Sequence, residues 1–176
     1  MKRIARRSLG LLILAAALVL TGCIVSGQFV VVIDWGGFAS TDDSLNSEHV
    51  DLTTNSTWND HKDDIQDIVD VKFKVTIHNL ATTAATGEVY VSTDSYSSLA
   101  AVKASATRIL HGIAIDPGAT RTIGFDESAT YRENLDTLLA LVKDGDFYIY
   151  GIAVNTPFNI EIMTGSQLLV TFSAGK

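Results

Sequence analysis

The chain has 176 residues, with 13 basic against 20 acidic side chains and a single cysteine. The first 22 residues hold four of the basic side chains and no acidic one, so the remaining 154 residues carry nine basic against 20 acidic groups, a formal charge of −11. This acidity disfavours nucleic acid and anionic lipid as partners, and a lone cysteine excludes an internal disulfide and a cysteine-based zinc site. The length suits one domain with a real core.

The first 23 residues have the pattern of a leader. Basic residues at positions 2, 3, 6 and 7 precede an uncharged apolar run over residues 9–20, which the small residues Thr21 and Gly22 separate from Cys23. This order predicts a secretory signal peptide. The apolar run is shorter than the roughly 20 residues that a membrane-spanning helix needs.

The end of the leader, Leu20-Thr21-Gly22-Cys23, resembles the lipobox of bacterial lipoproteins. The resemblance implies a signal peptide over residues 1–22, a lipid on Cys23 and attachment of the mature protein to a bacterial envelope membrane. Ile24, rather than Asp, in the second mature position implies the outer membrane if the host has one. Residues 23–28 are then a short lipidated tether, and residues 29–176 form the domain, close to the membrane surface.

The mature chain is dominated by short strand patterns. Residues 29–33 form a β-branched run that indicates a buried strand, and residues 57–70 have apolar side chains at helical spacing that indicate a short helix. Residues 71–78 alternate strictly between apolar and polar, which predicts a strand with one face on the core. Further strands are expected over 88–92, 107–115, 120–125, 147–154, 158–162 and 168–172.

Turn and cap signals order these elements further. Residues 71–78 and 88–92 are expected to pair as a hairpin, and Asp116-Pro117-Gly118 predicts a turn between two partner strands. Thr130 and Glu133 match a capping box, and Leu135, Leu138, Leu139 and Val142 follow at helical spacing, which predicts a helix over about 131–143.

The pattern as a whole predicts a mainly β fold. We expect an immunoglobulin-like antiparallel β-sandwich of seven to nine strands with one inserted α-helix, and a barrel is the alternative. The sequence lacks the Gly-x-Ser-x-Gly, phosphate-loop and His-Glu-x-x-His motifs that would indicate a common catalytic centre.

The candidate metal site is an acidic run. Ca²⁺ binds several carboxylate oxygens at once, although the spacing here matches no EF-hand loop and a solvated charged face explains the run as well. The candidate ligands are Asp60, Asp63, Asp64 and Asp67. No other cofactor is expected. Zinc would need two of the scattered histidines, which are His49, His61, His78 and His111.

The aromatic side chains could form a surface on which a carbohydrate or peptide stacks, but ordinary core packing is the favoured interpretation. They are Trp35, Trp58, Tyr90, Tyr96, Tyr148 and Tyr150. The sequence therefore predicts a non-enzymatic, membrane-tethered module that binds or scaffolds an envelope protein or glycan. The alternatives are a lipoprotein hydrolase of envelope polymers and a Ca²⁺-stabilised adhesion domain.

Overall fold

The computed structural model describes residues 27–174, which form two packed β-sheets and three short α-helices. The strands are β1 (Gly27–Trp35), β2 (Phe38–Thr41), β3 (Ser47–Asp51), β4 (Ile65–Asn79), β5 (Ala85–Ser92), β6 (Thr107–Ile115), β7 (Thr120–Ile123), β8 (Asp146–Ala153), β9 (Asn159–Ile162) and β10 (Ser166–Ala174). The α-helices are α1 (Ser56–His61), α2 (Leu99–Ser105) and α3 (Leu135–Asp144). Three 3₁₀ turns span Leu52–Thr54, Lys62–Asp64 and Glu127–Thr130.

The first sheet has four positions across its width. We call each position a strand line, and two of the lines are bent and consist of two strands each. β1 pairs with β10, and β2 continues the same line beyond Gly36-Gly37 by pairing with β9. β10 and β9 pair with successive stretches of the long strand β4, while β7 pairs with the opposite side of β4. The order across this sheet is therefore β1/β2, β10/β9, β4, β7.

The second sheet has the order β3, β8, β5, β6, and all of its pairs are antiparallel. When the eight strand lines are numbered along the chain, the two sheets read 1-8-3-6 and 2-7-4-5. This is the arrangement of a jelly roll, in which two Greek keys wrap around one core. An immunoglobulin-like sandwich instead pairs its first strand with its second. The predicted mainly β sandwich with an inserted helix is thus confirmed, with jelly-roll strand order.

Alternation along the strands builds the core. The inward side chains of β4 are at most 1% exposed, and they face equally buried side chains of the second sheet. Among these residues are Val71, Phe73, Val75 and Ile77 of β4 with Val89, Ile113, Phe147 and Ile149 opposite.

Two predicted pairings are wrong. β4 and β5 lie in different sheets and do not form a hairpin, and β6 and β7 are likewise separated by the Asp116-Pro117-Gly118 turn. Each short connection crosses from one sheet to the other. The buried side chain of Asn79 fixes both crossings, because its amide donates to Thr83 O at 2.8 Å and to Asp116 O at 3.2 Å.

The helix bounds also differ from the sequence prediction. α3 begins at Leu135 rather than near residue 131, and Thr130 ends a 3₁₀ turn instead of capping a helix. Asn134, in the left-handed region at φ 50°, precedes α3 without a side-chain capping bond. The capping-box prediction is therefore wrong, because residues 131–133 lie outside any helix and bond to β6 instead.

Residues 131–133 cover the outer edge of β6. His111 N donates to Tyr131 O, and Glu133 N donates to Ile109 O, both at 2.9 Å. This segment acts as a short added strand, so part of an edge that would otherwise be free is paired within the chain.

The predicted helix over 57–70 is shorter than expected. α1 ends at His61, and residues 65–70 belong to β4, where they pair with the last residues of β10. At the N-terminus, the predicted tether includes Gly27 and Gln28, but these residues pair with Ala174 and Ser173 in β1. The predicted leader, Cys23 and the rest of the tether lie outside the described residues. No helix within residues 27–174 is long and apolar enough to cross a membrane.

Candidate functional site

The most concentrated charge in the described structure is a cluster between β5, β6 and residues 131–133. It comprises Glu88, Tyr90, Arg108, His111 and Glu133, and we call it the Arg108 cluster. The Arg108 guanidinium donates to Glu88 Oε1 at 2.5 Å and also to Glu133 Oε1. The Tyr90 hydroxyl donates to Glu88 Oε2 at 3.0 Å, and His111 Nδ1 lies 3.7 Å from Glu133 Oε2.

The electrostatics follow from these contacts. The hydrogen bond from Arg108 holds the pKa of Glu133 below its ordinary value, and the same bond raises the pKa of Arg108. Burial, together with the neighbouring Glu88 carboxylate, raises the pKa of Tyr90 to about 12. At neutral pH Arg108 is therefore a guanidinium, Glu133 a carboxylate and Tyr90 a protonated phenol.

The geometry of the cluster indicates a structural role. The Glu88 side chain is only 5% exposed and both of its oxygens accept hydrogen bonds, so it has little freedom to bind a ligand or transfer a proton. Arg108 links Glu88 of β5 to Glu133 of the added segment. The cluster thus fastens residues 131–133 to the edge that they cover.

Removing the Glu133 charge is expected to change stability in a pH-dependent way. Because the folded-state pKa of Glu133 is lowered from 4.5, its contribution is present above pH 4.5 and is lost as pH falls through the lower folded-state value. Glu133→Gln should therefore reduce stability at pH 7 and flatten the loss of stability below pH 4.5. Urea unfolding at a series of pH values measures both effects.

Glu127→Gln is the matched control for Glu133→Gln. Glu127 pairs with Arg121 at 2.9 Å on the surface, where an ion pair contributes about 0–1 kcal/mol. If both variants have the same pH profile, Arg108 gives Glu133 no special stabilisation.

The other candidate site is the open edge, by which we mean the side of β1 that faces away from β10. Along each strand, the main-chain N–H and C=O groups of successive residues point alternately to the two sides, and this alternation identifies the groups that lie on the open edge. Phe73 N and Val71 O of β4 bond to Ser128 and Arg132, and so point away from β10. Alternation across the antiparallel sheet then directs the main-chain groups of Gln28, Val30, Val32 and Asp34 outward from β1.

A side-chain contact supports this assignment. Asn55 Nδ2 donates to the carbonyl of Val32 at 3.5 Å, so that carbonyl faces away from β10. In the described part of the chain no other hydrogen bond reaches the main-chain groups of this edge. Apart from the Val32 carbonyl, these amides and carbonyls of β1 have no partner in the described residues, whereas the edge of β6 is partly covered.

The open edge is also apolar. Val30 and Val32 are 44% and 42% exposed, and Leu169 of β10 lies beside Val32. We predicted residues 29–33 to be buried, which is wrong for these two valines. The unbroken apolar run indicates burial on both faces and carries no signal that one side of the strand is free.

The predicted metal ligands are dispersed along three elements. Asp60 lies in α1, Asp63 and Asp64 in the following 3₁₀ turn, and Asp67 in β4, where its carboxylate accepts from Ile68 N at 2.8 Å. Within residues 27–174 no group of three or more His, Cys, Asp or Glu side chains is placed to hold a metal ion. The Ca²⁺ site at these four residues stays a prediction.

The aromatic residues mostly pack inside the domain. Trp35, Trp58, Tyr90 and Tyr150 are buried, and the Tyr150 hydroxyl donates to Asp94 O at 3.0 Å. Tyr148 is partly exposed and stacks on His49 with 4.7 Å between ring centroids. Core packing, the favoured interpretation of the sequence, explains most of this set.

Comparison with known proteins gives likenesses in structure only. No family model matches the chain, and no curated protein matches it. A solved structure of Desmodium yellow mottle tymovirus is 11% identical with a TM-score of 0.37, covering 86% of this chain and 89% of the other. The structure of Mud crab tombus-like virus is 12% identical with a TM-score of 0.35, covering 87% and 82%. The Tobacco streak virus coat protein is 13% identical with a TM-score of 0.28, covering 84% and 87%.

These likenesses correct the expected function. The sequence predicted a module that binds or scaffolds at the cell envelope, with a hydrolase or a Ca²⁺-stabilised adhesion domain as alternatives, and the structural neighbours are viral capsid proteins. That functional prediction is contradicted.

Proposed function

We propose that this jelly-roll domain is a non-catalytic structural subunit that joins a partner by adding a β-strand of that partner to the open edge of β1. The observation that carries the proposal is the row of outward main-chain groups on Gln28, Val30, Val32 and Asp34, which within residues 27–174 have no partner except the bond from Asn55 to Val32 O. An exposed edge of this kind is a template for strand addition, and the main-chain hydrogen bonds provide the affinity.

The composition of β1 supports this role. Edge strands that avoid pairing are short or carry lysine, proline or a bulge, whereas β1 has nine residues and none of these features. Val30 and Val32 add exposed apolar surface beside the unpaired groups. A strand added here would gain cross-strand contacts as well as hydrogen bonds.

The Arg108 cluster supports a directed form of pairing. By holding residues 131–133 against β6, it occupies part of an edge of the second sheet. Strand addition at β6 is thereby hindered, whereas no such segment of the described chain lies along β1.

A peptide with the sequence of β1, residues 27–35, tests the proposal. Added to the full-length protein, the peptide should shift the amide NMR signals of Val30 and Val32 and slow their exchange with solvent, because these amides would donate to it. A peptide N-methylated at alternate residues is the control, since it lacks the main-chain donors. Unchanged Val30 and Val32 signals at saturating peptide would contradict the proposal.

We propose separately that Cys23 is lipidated and holds the protein to a bacterial envelope membrane, in the outer membrane if the host is diderm. The support is the lipobox-like sequence Leu20-Thr21-Gly22-Cys23. Gly27 follows Cys23 by four residues, so at about 3.5 Å per residue β1 would begin within about 14 Å of the anchored sulfur.

Cys23→Ser tests the anchor. Wild-type protein should partition into detergent through its acyl chains, and the variant should be released or remain uncleaved. If the variant partitions into detergent at the same mature mass, the lipid is not on Cys23.

A further inference from the structure

We infer that the strand added to the open edge is β1 of a second copy, related by a two-fold axis that passes beside Val31. This inference rests on the proposed function and names its partner. In this arrangement Gln28 of one copy lies opposite Asp34 of the other, and Val30 lies opposite Val32. The two first sheets would then join into one continuous antiparallel sheet.

The register follows from the alternating direction of the main-chain groups along β1. Only Gln28, Val30, Val32 and Asp34 direct main-chain groups outward, so an antiparallel partner must match outward residues with outward residues. A two-fold axis at Val31 pairs all four of them. An axis moved by one residue in either direction brings one of the four opposite a residue outside the set, and hydrogen bonds are lost.

The side chains agree with the same register. Val30 and Val32 form two apolar cross-strand pairs, which extend the strip that each Val32 makes with Leu169 of its own chain. At the ends, the Gln28 amide can donate to the Asp34 carboxylate, which already accepts from Gln167 Nε2 at 2.8 Å. No like charges face each other along this seam.

The two-fold arrangement also limits this contact to two copies. A two-fold contact uses the same edge on both copies, so each β1 edge is fully occupied in the dimer and no further strand adds there. If Cys23 anchors the protein, both copies share one surface, and the higher effective concentration favours the pair.

The added strand must displace the Asn55 side chain from Val32 O. Asn55 Nδ2 reaches Val32 O at 3.5 Å, while Asn55 Oδ1 accepts from Trp58 N at 3.0 Å as the cap of α1. Serine at this position keeps a capping acceptor but removes the amide donor. Asn55→Ser is therefore expected to strengthen the dimer without loss of the helix cap.

Disulfide trapping tests the register in full-length protein. Hydrogen-bonded antiparallel pairs have Cα atoms about 5.5 Å apart, which a disulfide can bridge. Mixing the single variants Val30→Cys and Val32→Cys should give a dimer whose 30–32 bond is located by mass spectrometry, separately from any bond through Cys23. Val30→Cys alone should not form a 30–30 bond, because those Cα atoms would lie about 8–9 Å apart.

Val69→Cys is the matched control. Val69 is 51% exposed but lies on β4, so this variant should not form the specific disulfide with Val30→Cys or Val32→Cys. A 30–30 bond that forms as fast as the 30–32 bond would overturn the inferred register. Absence of the 30–32 bond while the β1 peptide still binds would show that the edge is open but that its partner is not a second copy. If the β1 peptide also fails to bind, the proposed function itself is wrong.

Discussion

Arg108→Met is expected to lower the free energy of unfolding by about 3 kcal/mol at pH 7. The variant keeps a side chain of similar length but removes the charge that Glu88 and Glu133 share. Glu88, with a side chain only 5% exposed, would then keep only the hydrogen bond from Tyr90. We place the loss at the lower end of the range for a broken buried pair, because Arg108 itself is partly exposed.

A double variant separates this cause from lost packing. Adding Glu88→Gln to the Arg108 variant removes the carboxyl group that has lost its guanidinium partner, and should restore a large part of the stability. Chemical unfolding of the single and double variants at pH 7 measures the difference, and a loss of less than about 1 kcal/mol for Arg108→Met would contradict the assigned role.

Gly36→Ala is expected to destabilise the domain by about 2–4 kcal/mol, combining backbone strain with a steric clash. Gly36 has φ 104°, where residues with a Cβ are strained. A Cβ at this position would lie 2.4 Å from the carbonyl oxygen of Met163, which belongs to the opposing main chain. The bend that joins β1 to β2 beside β9 and β10 depends on this close approach.

Gly165→Ala is the control for the Gly36 variant. Gly165 also has positive φ, 82°, but a Cβ added there would meet no atom within 4 Å. Gly165→Ala should therefore lower the free energy of unfolding only through backbone strain, by about 1 kcal/mol. Thermal or urea unfolding of both variants tests the comparison, and equal losses would show that the contact with Met163 has no effect.

The sequence predicts the strands better than their partners. Strict alternation in β4 identifies Val71, Phe73, Val75 and Ile77 as core residues, and all four are buried. The same alternation does not say which sheet a strand joins, because both sheets of a sandwich face one core. The short connections after β4 and β6 therefore resemble hairpin loops in sequence while they cross between sheets.

The candidate sites are hidden in the sequence for different physical reasons. Arg108, Glu88 and Glu133 come from three separate segments, so only tertiary contacts bring them together. Glu133 also fits a local capping pattern, but pairing of residues 131–133 with β6 satisfies the main chain in another way. For β1, side-chain pattern gives hydrophobicity but not whether a strand lies at the centre or the edge of its sheet.

Residue-resolved amide hydrogen exchange along β1 tests the central claim most directly. In dilute protein the amides of Val31 and Ile33, which pair with β10, should be protected, while those of Val30 and Val32 should exchange rapidly. Raising the protein concentration should protect Val30 and Val32 as β1 edges pair. If Val30 and Val32 are as protected as Val31 and Ile33 in the dilute monomer, the edge is already covered and the account is wrong.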